Sequence, residues 1–267
     1  MLTFTLWYLC ITIIGLVTFP LTYRLLPALA DRGYALSRTL GLLVWGYFFW
    51  LFASLEILRN DIGGLILCLI VLIGLSYWAY RGIPASEFRS WWVDNRRLVL
   101  SVEILFLIAF ASWTLVRSAN PEILGTEKPM ELAFINAILR SPVFPPHDPW
   151  LSGYGISYYY FGYVITAMLA KLTATSGSVA FNLALSMIFA LSSIAAYGIL
   201  YCLLEALRKR KDSDSQGDNK NNLLLSLLGP TFILIVSNLE GFLEVLHARG
   251  LFWRPDETGQ LTSNFWI

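Results

Sequence analysis

The distribution of charged residues constrains the fold of this chain more than any other feature. Residues 1–23 contain no charge, and six further apolar runs are bounded by Arg, Lys, Asp or Glu. A helix that spans a bilayer needs about 20 mostly apolar residues, because backbone polar groups in hydrocarbon must bond to one another. The runs therefore predict seven transmembrane helices, at residues 1–23, 39–55, 62–80, 98–116, 156–170, 178–204 and 221–239.

Composition supports the same interpretation. Of the 267 residues, 57% are hydrophobic and 14% are charged, whereas an ordinary soluble domain carries about a quarter charged residues. This excludes a soluble globular domain and a disordered chain, because no single soluble core of this size buries so much apolar surface. The net charge of +1 provides no basic patch for nucleic acid. The three cysteines lie far apart inside apolar runs, which fits neither a zinc site nor a disulfide framework: Cys10, Cys68 and Cys202. We therefore predict an all-α, polytopic transmembrane helical bundle in the cell membrane.

Basic residues in short loops predict which side of the membrane each loop occupies. The first run lacks the basic flank and cleavage site of a signal peptide, so we expect it to stay as a helix. The loops after the first and third runs hold most of the early arginines: Arg24, Arg32, Arg38, Arg81, Arg89, Arg96 and Arg97. This predicts an extracytoplasmic N-terminus and an extracytoplasmic segment 117–155. With seven spans, however, the basic residues 208–211 also fall outside; either one span between 156 and 204 is miscounted or that loop is translocated against the rule.

The predicted organisation has three parts. Residues 1–116 form a four-span membrane region, and residues 117–157 form a long extracytoplasmic loop. Residues 158–267 form about three further spans, with a polar connecting loop at 207–222.

The long loop, residues 117–157, contains the main candidates for a functional site. Its first half predicts an amphipathic helix that lies in the membrane interface, with Thr126 as N-cap, Pro129 in the first turn and an apolar run at 130–139. Ser141 and Pro142 end this helix. Residues 144–150 contain three prolines, which fix φ and disfavour helix, so this stretch is predicted to run extended.

An acidic site at the water–lipid boundary is the functional interpretation of this loop. Glu127 is the candidate catalytic base or metal ligand, and Asp148 is the candidate second acid. A catalytic base must lie within reach of the proton that it accepts, so its placement matters more than its identity. The candidate substrate-binding residues are Lys128, Glu131, Arg140, His147, Trp150, Tyr158, Tyr159 and Tyr160. The alternative is an interface helix and a proline-stiffened loop whose acids simply face water.

Two weaker candidates lie elsewhere. Glu240, Glu244 and His247 share one helix face, and Glu244-x-x-His247 has the spacing of a helical metal motif, although no second motif accompanies it. Glu103 lies inside the fourth predicted span, where an acid is costly and often functional.

Four segments carry a resemblance to a known family. They are residues 127–140 (EKPMELAFINAILR), 145–153 (PPHDPWLSG), 158–163 (YYYFGY) and 236–241 (VSNLEG). They resemble the "YYY" family of uncharacterised integral membrane proteins, named for its triple tyrosine. Its members are much longer, so the resemblance implies that this chain is an N-terminal fragment.

That family is in turn similar to the GT-C superfamily of integral-membrane glycosyltransferases, which take sugar from a polyprenyl-phosphate donor. The resemblance implies a GT-C-like fold, with Glu127 as base or metal ligand, Asp148 as a supporting acid, and Lys128 or Arg140 on the phosphate. Trp150 and the tyrosines 158–160 would pack against sugar or lipid. The superfamily commonly has Asp-Glu where this chain has Glu127-Lys128, so the use of a divalent metal ion stays open.

The expected partners are membrane lipid and a polyprenyl-phosphate sugar, with the oligomeric state open. The alternatives to an enzyme are a membrane transporter or flippase and a non-catalytic subunit of a membrane complex.

Overall fold

The computed structural model describes residues 1–151, 153–211, 219–236, 239–251 and 253–263. The helices are α1 (Leu2–Leu25), α2 (Ser37–Ser54), α3 (Ile62–Arg81), α4 (Ala85–Asp94), α5 (Arg96–Ala119), α6 (Lys128–Arg140), α7 (Phe161–Leu172), α8 (Gly177–Lys211), α9 (Asn219–Leu225), α10 (Leu228–Pro230) and α11 (Leu239–Ala248). A π-helical turn, Thr231–Ile235, follows α10. Two short strands, β1 (Trp253–Pro255) and β2 (Leu261–Ser263), form an antiparallel hairpin with Trp253 opposite Ser263. The all-α prediction is confirmed for the bundle, and this hairpin is a small exception to it.

Long antiparallel helices form the bundle, and small residues allow their backbones to approach. Gly15 of α1 lies against Arg38 of α2, and Gly198 of α8 lies against Ala35 just before α2. Helices α5 and α8 stack Trp113 on Phe189, with ring centroids 4.5 Å apart. Such close contacts replace the hydrophobic driving force, which is absent between helices in lipid.

The predicted number of spans is only partly supported. Within the described residues, four helices are long and apolar enough to cross a membrane: α1, α3, α5 and α8. A fifth is possible if Asn221–Ile235 and Glu240–Ala248, which meet at 64°, form one bent span. Seven spans are therefore not confirmed. Helix α2 corresponds to the second predicted span but is less apolar, and α7 has only 12 residues.

Helix α7 begins and ends at the same end of the bundle. The Tyr160 hydroxyl at its start accepts a hydrogen bond from Trp50 Nε1 (3.0 Å), near the end of α2. Lys171 Nζ at its end donates to Asn60 Oδ1 (2.8 Å), in the loop after α2. Just beyond, Thr175 accepts from Trp7 Nε1 (3.2 Å), near the start of α1. The apolar run at 156–170 thus forms a short helix packed between others instead of the predicted fifth span.

This placement bears on the conflict over the basic residues at 208–211. Helix α8 runs away from α7, and the Cys202 thiol near its far end donates to Asp31 Oδ1 (3.2 Å) in the loop after α1. The end where α1 finishes, hereafter the basic end, therefore collects the early arginines together with Arg208, Lys209 and Arg210. The opposite end, where α1 begins, is hereafter the site end. This grouping is what the alternative of one miscounted span between 156 and 204 predicts.

Several predicted boundaries move. Residues 207–211 continue α8 and are not part of the polar loop predicted at 207–222. Residues 212–218 of that loop lie outside the described residues, as do Ser152, Ser237 and Asn238 of the motifs and residues 264–267.

Candidate functional site

The site end is organised around α6. The predicted N-cap at Thr126 is wrong: Gly125 and Thr126 both adopt positive φ (75° and 48°), so they turn the chain ahead of the helix, and Glu127 occupies the N-cap position. No side chain caps the helix there. Pro129 lies in the first turn, as predicted, where its missing N–H leaves no bond unmade. Glu127 thus stands at the free N-terminus of α6, where the helix dipole favours negative charge.

The apolar face of α6 packs against protein. Phe134, Ile135, Ala137 and Ile138 are buried, and Asn136 lies against Gly177 at the start of α8. The sequence predicted that this face would lie on lipid. The buried face holds α6 in a fixed position above α7, which gives its N-terminal acids a rigid support.

Asn60 anchors the other end of α6. Its buried side-chain amide donates to the carbonyls of Ile138 (2.6 Å) and Ser141 (2.7 Å), and its backbone N–H donates to Pro142 O (2.8 Å). Lys171 donates to both the backbone carbonyl and the side-chain oxygen of Asn60. These bonds satisfy the last carbonyls of α6, which a helix cannot satisfy internally.

Glu131 of α6 contacts a tyrosine cluster, and the charge of Glu127 at the N-cap acts on the same cluster. Tyr163 of α7 donates its hydroxyl to Glu131 Oε1 (3.2 Å). The Tyr158 hydroxyl donates to Tyr159 (2.7 Å). This hydrogen bond, together with the nearby charges of Glu127 and Glu131, raises the pKa of Tyr158 to about 12. Glu127 is exposed and has no ion pair with any described residue. The carboxylates and the tyrosines therefore form one polar cluster.

An open aromatic groove adjoins this cluster. It has a volume of about 300 Å³ and is lined by Tyr47, Trp50, Tyr158, Tyr159, Tyr160 and Phe161. Tyr159 is 70% exposed, and its ring centroid lies 3.9 Å from that of Tyr158. Flat aromatic faces of this kind suit the apolar face of a sugar ring or an isoprenoid chain.

The proline-rich loop folds back instead of running extended. His147 pairs with Gly155 in an isolated bridge, and Asp148 N–H donates to Tyr154 O (2.9 Å). Asp148 Oδ1 accepts from the backbone N–H groups of Trp150 (2.8 Å) and Leu151 (2.9 Å). The predicted extended stretch is therefore wrong: the chain already bends at residues 144 and 145, and after His147 the side chain of Asp148 closes a turn. This turn brings Trp150 edge-on to Phe134, with centroids 5.8 Å apart.

Apart from Asp148, which lies in the turn just described, the predicted site residues fall into two groups. Glu127, Lys128, Glu131, Trp150 and the three tyrosines lie around the N-terminal half of α6 and its groove. Arg140 is the last residue of α6, about 18 Å from the first by helical rise. His147 lies near that same distal end, since its N–H donates to Ser141 Oγ (3.0 Å).

The weaker candidates lie apart from this site. Glu103 is at the basic end, where it pairs with Arg38 (2.5 Å) and accepts from Tyr34 (2.7 Å), so it has no place in the site. His247 stacks on Trp253 (4.8 Å between ring centroids). Among the described residues, no three His, Cys, Asp or Glu side chains come together to hold a metal ion, so the metal motif gains no support.

Sequence reasoning missed several residues that build the site. Tyr163 contacts Glu131, Trp50 and Tyr47 line the groove, and Asn60 with Lys171 anchors α6. Tyr163 lies four residues after Tyr159, in a motif already singled out, so only its partner was unknown. Asn60 and Lys171 are 111 residues apart, and no local pattern connects them.

The comparisons with known proteins add the family. The model of an uncharacterised membrane protein family, DUF2298, matches residues 44–264, which include all four motif segments. No curated protein matches the chain, and no solved structure does. Because the match covers well over half of the sequence, the chain belongs to the DUF2298 family of uncharacterised membrane proteins.

Proposed function

We propose that this chain carries the acid site of an integral-membrane glycosyltransferase of GT-C type, which takes sugar from a polyprenyl-phosphate donor. One observation carries the proposal: a carboxylate without a cation partner, Glu127, lies in the same cluster as an open aromatic groove at the site end. The arginine-rich loops lie at the opposite end of the bundle. By the positive-inside rule the basic end is cytoplasmic, so the site faces the extracytoplasmic surface of the cell membrane.

In the proposed reaction, Glu127 accepts the proton of the acceptor hydroxyl. The acceptor oxygen then bonds to the anomeric carbon of the sugar, and the bond from that carbon to the phosphate oxygen breaks. Lys128, next to Glu127, stabilises the departing phosphate, since a positioned cation acts where charge develops. The groove formed by Tyr158, Tyr159 and Trp50 holds the sugar or the first isoprene units.

Other predicted residues have supporting parts in this scheme. Glu131 and Tyr163 hold the tyrosine cluster through their hydrogen bond. Asp148 closes its turn through Oδ1 and so positions Trp150. In the proposed scheme Asp148 is also the second acid. Arg140 and His147, at the distal end of α6, would reach only a more remote part of the substrate.

Transfer from a radiolabelled polyprenyl-phosphate sugar, by protein reconstituted in liposomes, tests this function. We expect Glu127→Gln to lower transfer about 100-fold or more, which is the usual contribution of a general base. Glu122→Gln is the matched control, because Glu122 is an exposed acid of the same loop. Equal activity of wild type and Glu127→Gln would remove Glu127 from the mechanism.

A transporter or flippase is the second candidate. The 64° bend between Asn221–Ile235 and Glu240–Ala248 favours it, because broken helices often form transport sites. Binding of the lipid-linked sugar without any transfer would support this alternative. A non-catalytic role in a membrane complex would be indicated if Glu127→Gln with Asp148→Asn left the cellular phenotype intact.

A further inference from the structure

The corner between α4 and α5 at the basic end has features of a lipid site. Helix α4 ends at Asp94 and α5 begins at Arg96, so the chain turns at Asn95, whose side chain donates to Trp91 O (3.0 Å). The aromatic side of α4 packs into the bundle: Trp91 is buried and lies 4.7 Å from Phe19 between ring centroids. The corner is therefore held firmly at the level where the bundle ends.

Two cavities of different character meet at Arg96 and Arg97. One, of about 380 Å³, is lined by Val93, Asp94, Asn95, Arg96, Arg97 and Leu98. The other, of about 400 Å³, is lined by Trp92, Arg96, Arg97, Val99, Leu100 and Glu103. The first is mostly polar and the second mostly apolar, and the two arginines belong to both.

At this corner the acidic side chain of Glu103 has partners, whereas the two arginine side chains have none among the described residues. Glu103, the acid of the apolar cavity, already accepts a hydrogen bond on each oxygen, from Tyr34 and from Arg38. The side chains of Arg96 and Arg97 are exposed, and neither guanidinium forms an ion pair or hydrogen bond with any described residue. Asp94 is the one other acid that lines either cavity, so the corner keeps an excess of positive charge.

The apolar cavity continues along the outer face of α5. Leu100, Ile104, Leu107 and Ile108 are 60%, 48%, 42% and 59% exposed, and their spacing places them on one side of the helix. In a membrane, this side contacts acyl chains. A molecule with a phosphate on the two arginines would thus have an apolar path directly below it.

We propose that the α4–α5 corner binds an anionic phospholipid, with its phosphate on Arg96 and Arg97 and one acyl chain along Leu100 and Ile104. A guanidinium pair offers several donors to phosphate oxygens, and basic residues at the cytoplasmic surface attract anionic lipids. The apolar cavity distinguishes a lipid from a free phosphate ion, which could use only the polar one. This site is independent of the proposed transferase.

Lipid binding to the purified protein in neutral detergent tests the proposal. Phosphatidylglycerol, phosphatidylcholine and inorganic phosphate are titrated separately, and bound lipid is counted by native mass spectrometry. We expect wild type to prefer phosphatidylglycerol, and Arg96→Gln with Arg97→Gln to weaken its binding about 30-fold, from the usual contribution of two basic residues. The matched control is Arg81→Gln with Arg89→Gln, which removes the same charge from exposed arginines at the same end and should retain binding.

A second variant examines the acyl chain separately. Leu100→Trp fills the apolar cavity and leaves both arginines, so we expect it to lose phosphatidylglycerol binding while thermal unfolding shows an intact fold. Equal binding of the two phospholipids, or an equal loss in the control pair, would overturn the proposal. It would also be overturned if inorganic phosphate displaced the lipid at equal concentration, or if Leu100→Trp bound lipid like wild type.

Discussion

Acidic side chains at the two ends of the bundle differ in their partners. At the basic end, Glu103 is satisfied by Arg38 and Tyr34, and Glu205 is satisfied by Arg208 (2.9 Å) and Asn222 (2.8 Å). At the site end, Glu127 has no cation partner, and Glu131 accepts from a tyrosine. Glu103 and Glu205 therefore serve the fold, whereas Glu127 keeps an unpaired charge among the described residues.

The largest effect is expected when the ion pair between Arg38 and Glu103 is broken. Glu103→Gln leaves the guanidinium of Arg38 buried without its counter-charge, which should lower the free energy of unfolding by about 3 kcal/mol. Thermal unfolding in detergent measures this loss. Glu87→Gln is the control at the same end, because its pair with Arg32 (3.4 Å) is exposed and contributes below about 1 kcal/mol. Glu127→Gln should cost below about 1 kcal/mol, because it removes only an exposed charge at a helix N-terminus. A loss equal to that of Glu103→Gln would contradict the contrast between the ends.

The next effect concerns the support of the site. Asn60→Ala leaves the carbonyls of Ile138 and Ser141 without their donor and removes one of the two Asn60 oxygens that accept from Lys171, at a cost of about 2 kcal/mol. We expect faster hydrogen exchange at residues 138–142 and no change at the basic end. Asn120→Ala, an exposed asparagine at the site end, is the control. Unchanged exchange in α6 would show that Asn60 is not its anchor.

Gly→Ala substitutions at close helix contacts should have smaller effects on stability, and these effects should differ from one contact to another. A Cβ at Gly198 would collide with Cβ of Ala35, beside the backbone, whereas at Gly177 it would meet the amide of Asn136, which can rotate. Overpacking costs about 2 kcal/mol and helix propensity returns about 1, so Gly198→Ala should lose about 1 kcal/mol. Gly177→Ala should be near neutral. Gly74→Ala, with open space around it, should be slightly stabilising; equal melting of all three variants would refute these contacts.

The sequence predicts the long helices well and their arrangement only in part. Charges mark the ends of α1, α3 and α5 to within a few residues, because a charged residue cannot lie in hydrocarbon at low cost, whereas α8 continues seven residues past its predicted end. The same rule misassigned residues 156–170, because an apolar helix buried by protein has the same composition as one buried by lipid. The acids of the site were also predicted, but their surroundings depend on distant pairs such as Asn60 and Lys171.

The smallest expected effect is a change in the pKa of Tyr158. Its hydroxyl donates to Tyr159, and this bond, with the charges of Glu127 and Glu131, raises its pKa from 10.0 to about 12. Tyr159→Phe removes the largest cause, so the pKa should fall back toward 10. The shift favours the neutral phenol in the folded state, so the stability it provides is present below pH 10 and is lost as pH rises toward 12. Ultraviolet titration of tyrosine ionisation measures the change, with Tyr158→Phe identifying the signal.

The same titration tests whether Glu127 belongs to the cluster at all. Glu127→Gln removes one negative charge near Tyr158 and should lower its pKa by less than Tyr159→Phe does, because its charge is a smaller cause than the hydrogen bond. Glu122→Gln should leave the titration unchanged. At the basic end a neighbouring arginine would screen such an effect, but no cation pairs with Glu127 among the described residues. If Glu127→Gln did not move the pKa of Tyr158, the carboxylate would lie away from the groove, and the proposed transferase would lose the observation that supports it.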